Sequence, residues 1–208
     1  MRIAVPATDG LARRLATALQ DLAYDVVPGA GGADLVVVLS SRHADDLVTL
    51  AGTESLAGTI VLDLTQPRDL PELSVTSLEE VSQESLGERL QRALPSARVV
   101  KAINALDTDP LPRPTTLLEP GTVLLSGDDG AAKDVVQTVL TRLGHRHVVD
   151  LGDIATARGT ERLVSRWWQL MSVYGARHRI GDSDDDRPRP CSRPDRLPPR
   201  RYDVTGSS

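Results

Sequence analysis

The residues of this 208-residue chain that could do chemistry fall into four groups. The first is the turn Ala7, Thr8, Asp9, Gly10 and Leu11, between a β-rich run, Arg2–Pro6, and a stretch with a helical apolar stripe, Leu11–Leu22. A strand, a tight turn and a helix in that order present backbone N–H groups and the positive end of a helix dipole to phosphate groups. The second group is Ser40, Ser41, Arg42 and His43, just after the apolar run LVVVL. Arg42 could partner a phosphate, or stand exposed at the start of a helix. The third is Lys101 and Asn104 in RVVKAIN. They sit at the carboxyl end of a predicted strand, where open α/β sheets bind ligands. Asn104 could bond a carboxamide or a substrate carbonyl, or satisfy loop backbone. The fourth is His145 and His147, two residues apart. A zinc site needs further ligands of matching context, and none is evident, so no metal is expected. The acidic run Asp182–Asp186 lacks the ligand pattern and glycine of a calcium loop.

The elements that must position these groups alternate between strand and helix. Strands are expected at Arg2–Pro6, Tyr24–Val27, Leu35–Leu39, Thr59–Leu64, Arg98–Asn104, Thr122–Ser126 and His147–Leu151. Helices are expected at Leu11–Leu22, Ala44–Ala51, Ser85–Leu94, Gly130–Leu143 and Ile154–Tyr174. Gly144 is a suitable helix-ending residue. Asp107–Gly121 holds four prolines and reads as a loop. This alternation, with continuous apolar strands such as LVVVL, argues for an α/β fold on a parallel sheet.

One connection is short for that architecture. PGAGGAD, Pro28–Asp34, joins the second strand almost directly to LVVVL. Parallel neighbours usually need a crossover of about a dozen residues or more, and six or seven residues span at most roughly 20–25 Å. The strand Tyr24–Val27 is therefore expected to be short, displaced or antiparallel.

Composition narrows the class. The formal charge of −5 gives no pull toward nucleic acid or anionic membranes. No apolar run approaches the roughly 20 residues of a membrane span. No signal peptide is read at the N-terminus, and a lone cysteine, Cys191, excludes an internal disulfide. A cytoplasmic protein is expected, without nucleic-acid or membrane partners. With no Phe, two Trp and three Tyr, the core must be aliphatic. Residues 181–208 are rich in Pro, Arg and Asp and carry almost no apolar residues, so they are expected to be a disordered tail on a domain ending near residue 180.

From about Gly58 to Arg179 the chain resembles a family of bacterial NAD(P)-binding reductases. These are related to the enzyme that moves hydride between NADPH and coenzyme F-420, a deazaflavin. The residues that carry the likeness are VLDLTQP (Val61–Pro67), SLGERLQRALPSARVVKAINAL (Ser85–Leu106), LLSGDD (Leu124–Asp129) and VVDLGDIATARGTERL (Val148–Leu163). The N-terminal domains of pyrroline-5-carboxylate reductases are similar at a greater distance. The resemblance implies a reduced Rossmann-like parallel sheet with a C-terminal helix. It implies NADP as cofactor, and a deazaflavin or a small carbonyl or imine as substrate. In the family's register the three positions of the GxGxxG turn fall on Ala7, Asp9 and Ala12, with Thr8, Gly10 and Leu11 in the same cofactor-binding turn. Ser40, Ser41 and Arg42 would line the cofactor, and Lys101 and Asn104 would lie on its nicotinamide side.

Several residues depart from that pattern. Asp9 puts an anion where backbone should approach pyrophosphate, or it caps the first helix. The ribose-binding register falls on Gly29–Gly32, without Arg or acid until Asp34, so the adenosine side is expected to be open or collapsed. Two functions follow: an NADP(H)-dependent reductase, or a degenerate relative serving as a binding or regulatory module. Trp167, Trp168, Met171 and Tyr174 on the last helix read as core or as a homodimer contact.

Overall fold

A computed structural model describes residues 1–6, 9–40, 42, 44–49, 56–66, 84–104 and 122–173, with the side chains of 103–104 and 167–173 excepted. Of the expectations above, Ala7, Thr8, Ser41, His43, Tyr174, the domain end near 180, the tail and the loop 107–121 lie outside these residues. So do the side chains of Asn104, Trp167, Trp168 and Met171.

Seven strands form one sheet: β1 (Arg2–Ala4), β2 (Asp25–Val27), β3 (Leu35–Val38), β4 (Ile60–Asp63), β5 (Arg98–Asn104), β6 (Thr122–Ser126) and β7 (His147–Asp150). Their order is β2-β1-β3-β4-β5-β6-β7. Helices α1 (Gly10–Asp21), α2 (residues 44–49), α3 (Leu86–Ala93), α4 (Gly130–Leu143) and α5 (Ala157–Val173) alternate with the strands. The last helix is entered through a 3-10 turn, Ile154–Thr156, where the sequence pattern suggested one continuous helix. Among the described residues no helix is long and apolar enough to cross a membrane.

Strand period divides the core into two layers. Ile3, Val37 and Leu62 point to one face, against Leu15 and Leu19 of α1 and Val136 and Leu140 of α4. Ala4, Val36, Val38 and Val61 point to the other, against Leu47 of α2, Leu90 of α3 and Ile154. Local residues fix the helix ends. Ser85 and Glu88 form a reciprocal capping box at the head of α3, Asp129 caps α4, and Gly144 closes α4 with φ 107°.

One strand pair departs from the expected parallel sheet. The pair β5–β6 is antiparallel, with Lys101 opposite Ser126, so the sheet is mixed; the other neighbouring pairs are parallel. The strand β2 is short, as the connection demands, yet it pairs parallel with β1, Asp25 beside Arg2 and Val27 beside Ala4. Parallel pairing survives a seven-residue crossover because β2 spans only three residues, so the return path is short. Ala33 is buried and Ala30 packs beside it in the second core layer, so the loop itself covers β1 where a crossover helix would lie. A backbone bond from Asp34 N to Arg2 O (2.9 Å) and a bond from Arg2 N to the Asp34 carboxylate (2.7 Å) seat its far end.

Candidate functional site

The chain leaves β1 toward β2 on one side and β3 toward β4 on the other. The carboxyl ends of β1 and β3 are therefore the point where the strand order reverses, the usual ligand crevice of an open α/β sheet. Two separate stretches follow those ends in the chain: Asp9, Gly10 and Leu11 at the head of α1, after β1, and Ser40 and Arg42 after β3. Ser40 is half-buried and its carbonyl accepts the Ala44 N–H at 3.0 Å, while Arg42 is exposed.

Asp9 is the N-cap of α1. Its Oδ1 accepts the Ala12 N–H at 2.8 Å, and its carbonyl accepts the Arg13 N–H at 3.0 Å. Ala12 is fully buried against the first core layer. The third position of the turn thus packs helix on strand as a small residue should. The second carries a carboxylate that occupies one of the backbone donors a phosphate would use. At the end of β2, Gly29 and Gly31 have open space where a side chain would stand, and no cationic side chain is carried by Pro28–Asp34.

Lys101 lies elsewhere than on an open cleft. It is 1% exposed, and its Nζ donates to Asp63 Oδ2 (3.1 Å), Thr65 O (2.7 Å) and Thr65 Oγ1 (2.7 Å). Glu161 Oε1 is 3.2 Å from the same nitrogen. Asp63 and Glu161 are both 0% exposed. Asp63 Oδ1 accepts the Thr65 N–H (2.8 Å), and Glu161 accepts the N–H groups of Leu86 (2.9 Å) and Gly87 (3.2 Å) at the head of α3. Burial pushes the Glu161 carboxyl above its ordinary value, a cost that the Lys101 charge and the two N–H donors reduce without cancelling. Burial alone would lower the Lys101 ammonium, but the two carboxylates outweigh it and hold it above the ordinary lysine value. A second contact joins the same helices: Arg158 of α5 forms a two-pronged pair with Glu88, at 2.7 and 2.5 Å.

Sequence reasoning singled out Lys101 and passed over Asp63, Thr65 and Glu161. The signal was present: an Asp inside the apolar run TIVLDL and a Lys inside the apolar run RVVKAI need each other if the two strands are buried neighbours. His145 is buried ahead of β7 while His147 is exposed, so the pair does not share a ligand environment. No cluster of metal-ligating residues occurs among the described residues. The nicotinamide-side reading of Asn104 reaches only its backbone, which ends β5 opposite Val123.

No family model and no curated protein matches the chain. Among solved structures it is similar to a protein of Arthrobacter sp. FB24 described as a candidate F-420-dependent NADP reductase. The two are 31% identical over 84% of this chain and 94% of the other, with a TM-score of 0.67. A hypothetical protein from Sinorhizobium meliloti is 22% identical over 75% of this chain and 86% of its own, at TM-score 0.50. An imine reductase from Streptomyces aurantiacus is 15% identical at TM-score 0.56, covering 85% of this chain and 65% of its own. One from Myxococcus stipitatus in complex with NADP+ is 17% identical at TM-score 0.53, covering 84% and 63%. The chain spans just under two thirds of these two imine reductases, and that likeness is one of fold.

Proposed function

The chain belongs to the NAD(P)-binding reductase family of the F-420-dependent NADP reductases, and from that premise we propose that it moves hydride between NADP(H) and a deazaflavin or a small carbonyl or imine. The observation that carries the reading is the placement of the α1 head, after β1, and of Ser40 and Arg42, after β3, at the two carboxyl ends where strand order reverses. The nicotinamide supplies the hydride chemistry. The chain's part is to seat it: backbone at Gly10 and Leu11 for the pyrophosphate, and Ser40 and Arg42 alongside. The adenosine half would rest at the glycine-rich end of β2 with little to grip it.

A second reading is favoured by one contact, the Asp9 carboxylate on the Ala12 N–H. It treats the chain as a reductase scaffold that has lost the dinucleotide and serves as a binding or regulatory module. Calorimetric titration of the purified chain with NADPH and NADH separates the two. Micromolar affinity supports the reductase. Absence of binding at millimolar cofactor rejects it in favour of the module.

A further inference from the structure

The interior charges have no place in the cofactor seat described above, yet they are costly. Each buried ion carries a desolvation penalty, and well-packed apolar residues often serve stability as well or better. What the charges do is hold backbone. Lys101 binds the carbonyl and hydroxyl of Thr65, two residues past the end of β4. Glu161 binds the first two N–H groups of α3, at Leu86 and Gly87. Both pieces of backbone lie at the carboxyl edge of the sheet, because α3 returns from that edge to the start of β5. The 3.2 Å pair between Lys101 and Glu161 joins them. Gly87 permits the approach: a Cβ there would stand 3.2 Å from Ile154 Cδ1 and 3.4 Å from Lys101 Cβ. The Arg158–Glu88 pair and the Ser85 capping box bind the same helix head.

We propose that Lys101 and Glu161 are positioning residues that set Leu64–Gln66 and the head of α3 as one unit, and so shape the carboxyl edge on which the cofactor is held. The inference rests on the proposed reductase reading only for the identity of that ligand. Asp63 anchors the near end of the unit through the Thr65 N–H.

The test uses the full chain as wild type, Glu161→Gln and Thr65→Val, with amide hydrogen exchange resolved by residue and NADPH titration followed by fluorescence. Glu161→Gln is expected to speed exchange about tenfold at Leu86 and Gly87, and also at Thr65, which Glu161 does not touch, relative to Val136 in α4. Thr65→Val is expected to do the same in reverse, at Leu86 and Gly87. Both variants weaken NADPH binding by about tenfold. Acceleration confined to the amides the altered residue itself bonds, or matched at Val136, overturns the proposal. So does unchanged NADPH affinity in variants of a wild type that binds. A wild type that does not bind NADPH rejects the reductase reading, and the exchange pattern then decides the positioning claim alone.

Discussion

Asp9 and Ala12 face each other across the first turn of α1, the carboxylate Oδ1 2.8 Å from the Ala12 nitrogen. The bond gives the helix its cap and puts a negative charge at the head of α1, at the carboxyl end of β1. Both effects come from one side chain, and they can be separated, because Asn caps about as well as Asp but carries no charge. Asp9→Asn is expected to keep the thermal midpoint near that of the wild type. It should tighten NADPH binding roughly fivefold, the effect of removing about 1 kcal/mol of like-charge repulsion at a helix terminus. Calorimetry checks it; equal affinities for the two proteins would mean the Asp9 charge lies away from the phosphates.

At the end of β2 the test is a gain. Gly29 has nothing within 4 Å of a would-be Cβ and does not require a left-handed backbone. Gly29→Arg therefore fits, and supplies the cation that Pro28–Asp34 lacks. The affinity ratio of NADPH to NADH is expected to rise about tenfold, the value of one charge-assisted contact to a 2′-phosphate. An unchanged ratio would place the adenosine half elsewhere.

Removing the ammonium from the interior strands two carboxylates. Lys101→Met is expected to cost about 3–5 kcal/mol, read as a lower urea midpoint. Glu161→Gln should cost clearly less, since Lys101 keeps Asp63 and both Thr65 acceptors. Equal losses from the two variants would show that Glu161, not Asp63, is the main partner of the lysine.

Acid should act through Glu88. Burial alone would raise this carboxyl, but the Arg158 guanidinium and the Ser85 N–H and hydroxyl outweigh it and hold it below the ordinary glutamate value. A carboxyl lowered on folding adds stability that is fully present above the unfolded pKa and is lost as pH falls through the folded one. Thermal midpoints of the wild type should therefore drop more steeply than those of Glu88→Gln as pH falls below the ordinary glutamate pKa. Parallel curves would refute the assignment.

Gly127, just past β6, has no room for a side chain. A Cβ there would stand 2.9 Å from the Val99 carbonyl, and that backbone belongs to the central strand β5. Gly127→Ala is expected to lose about 1–3 kcal/mol through forced separation of the strands. Retention of full stability in chemical denaturation would show that β5 can yield there.

Much of this architecture is legible in the chain itself. Arg98–Asn104, Thr122–Ser126 and Gly130–Leu143 stand where the apolar pattern puts them, and each is bounded by a local signal such as Pro95 or Gly144. The direction of β6 is not legible. A strand buried in a mixed sheet carries the same apolar pattern whichever way it runs, and only the preceding connection decides. The parallel pairing of β2 was hidden for a related reason: the length of a strand and the reach of its loop trade against each other, and only their sum is constrained. The group around Lys101 escaped because its members are local neighbours only in space. Asp63, Lys101 and Glu161 come from β4, β5 and α5, so the charges inside the two apolar strands can be matched only once the strands are known to be neighbours, and Glu161 only once α5 is placed.

The loop that crosses β1 has a use beyond closing the sheet. Ala33 and Ala30 anchor it while Gly31 and Gly32 between them are exposed. Chain inserted at the Gly31–Gly32 bond would leave both anchors in place, and each doubling of loop length adds only about 0.6 kcal/mol of closure entropy. This is a site where a foreign segment, or the helix a longer crossover would carry, can be spliced in at small expense to the fold.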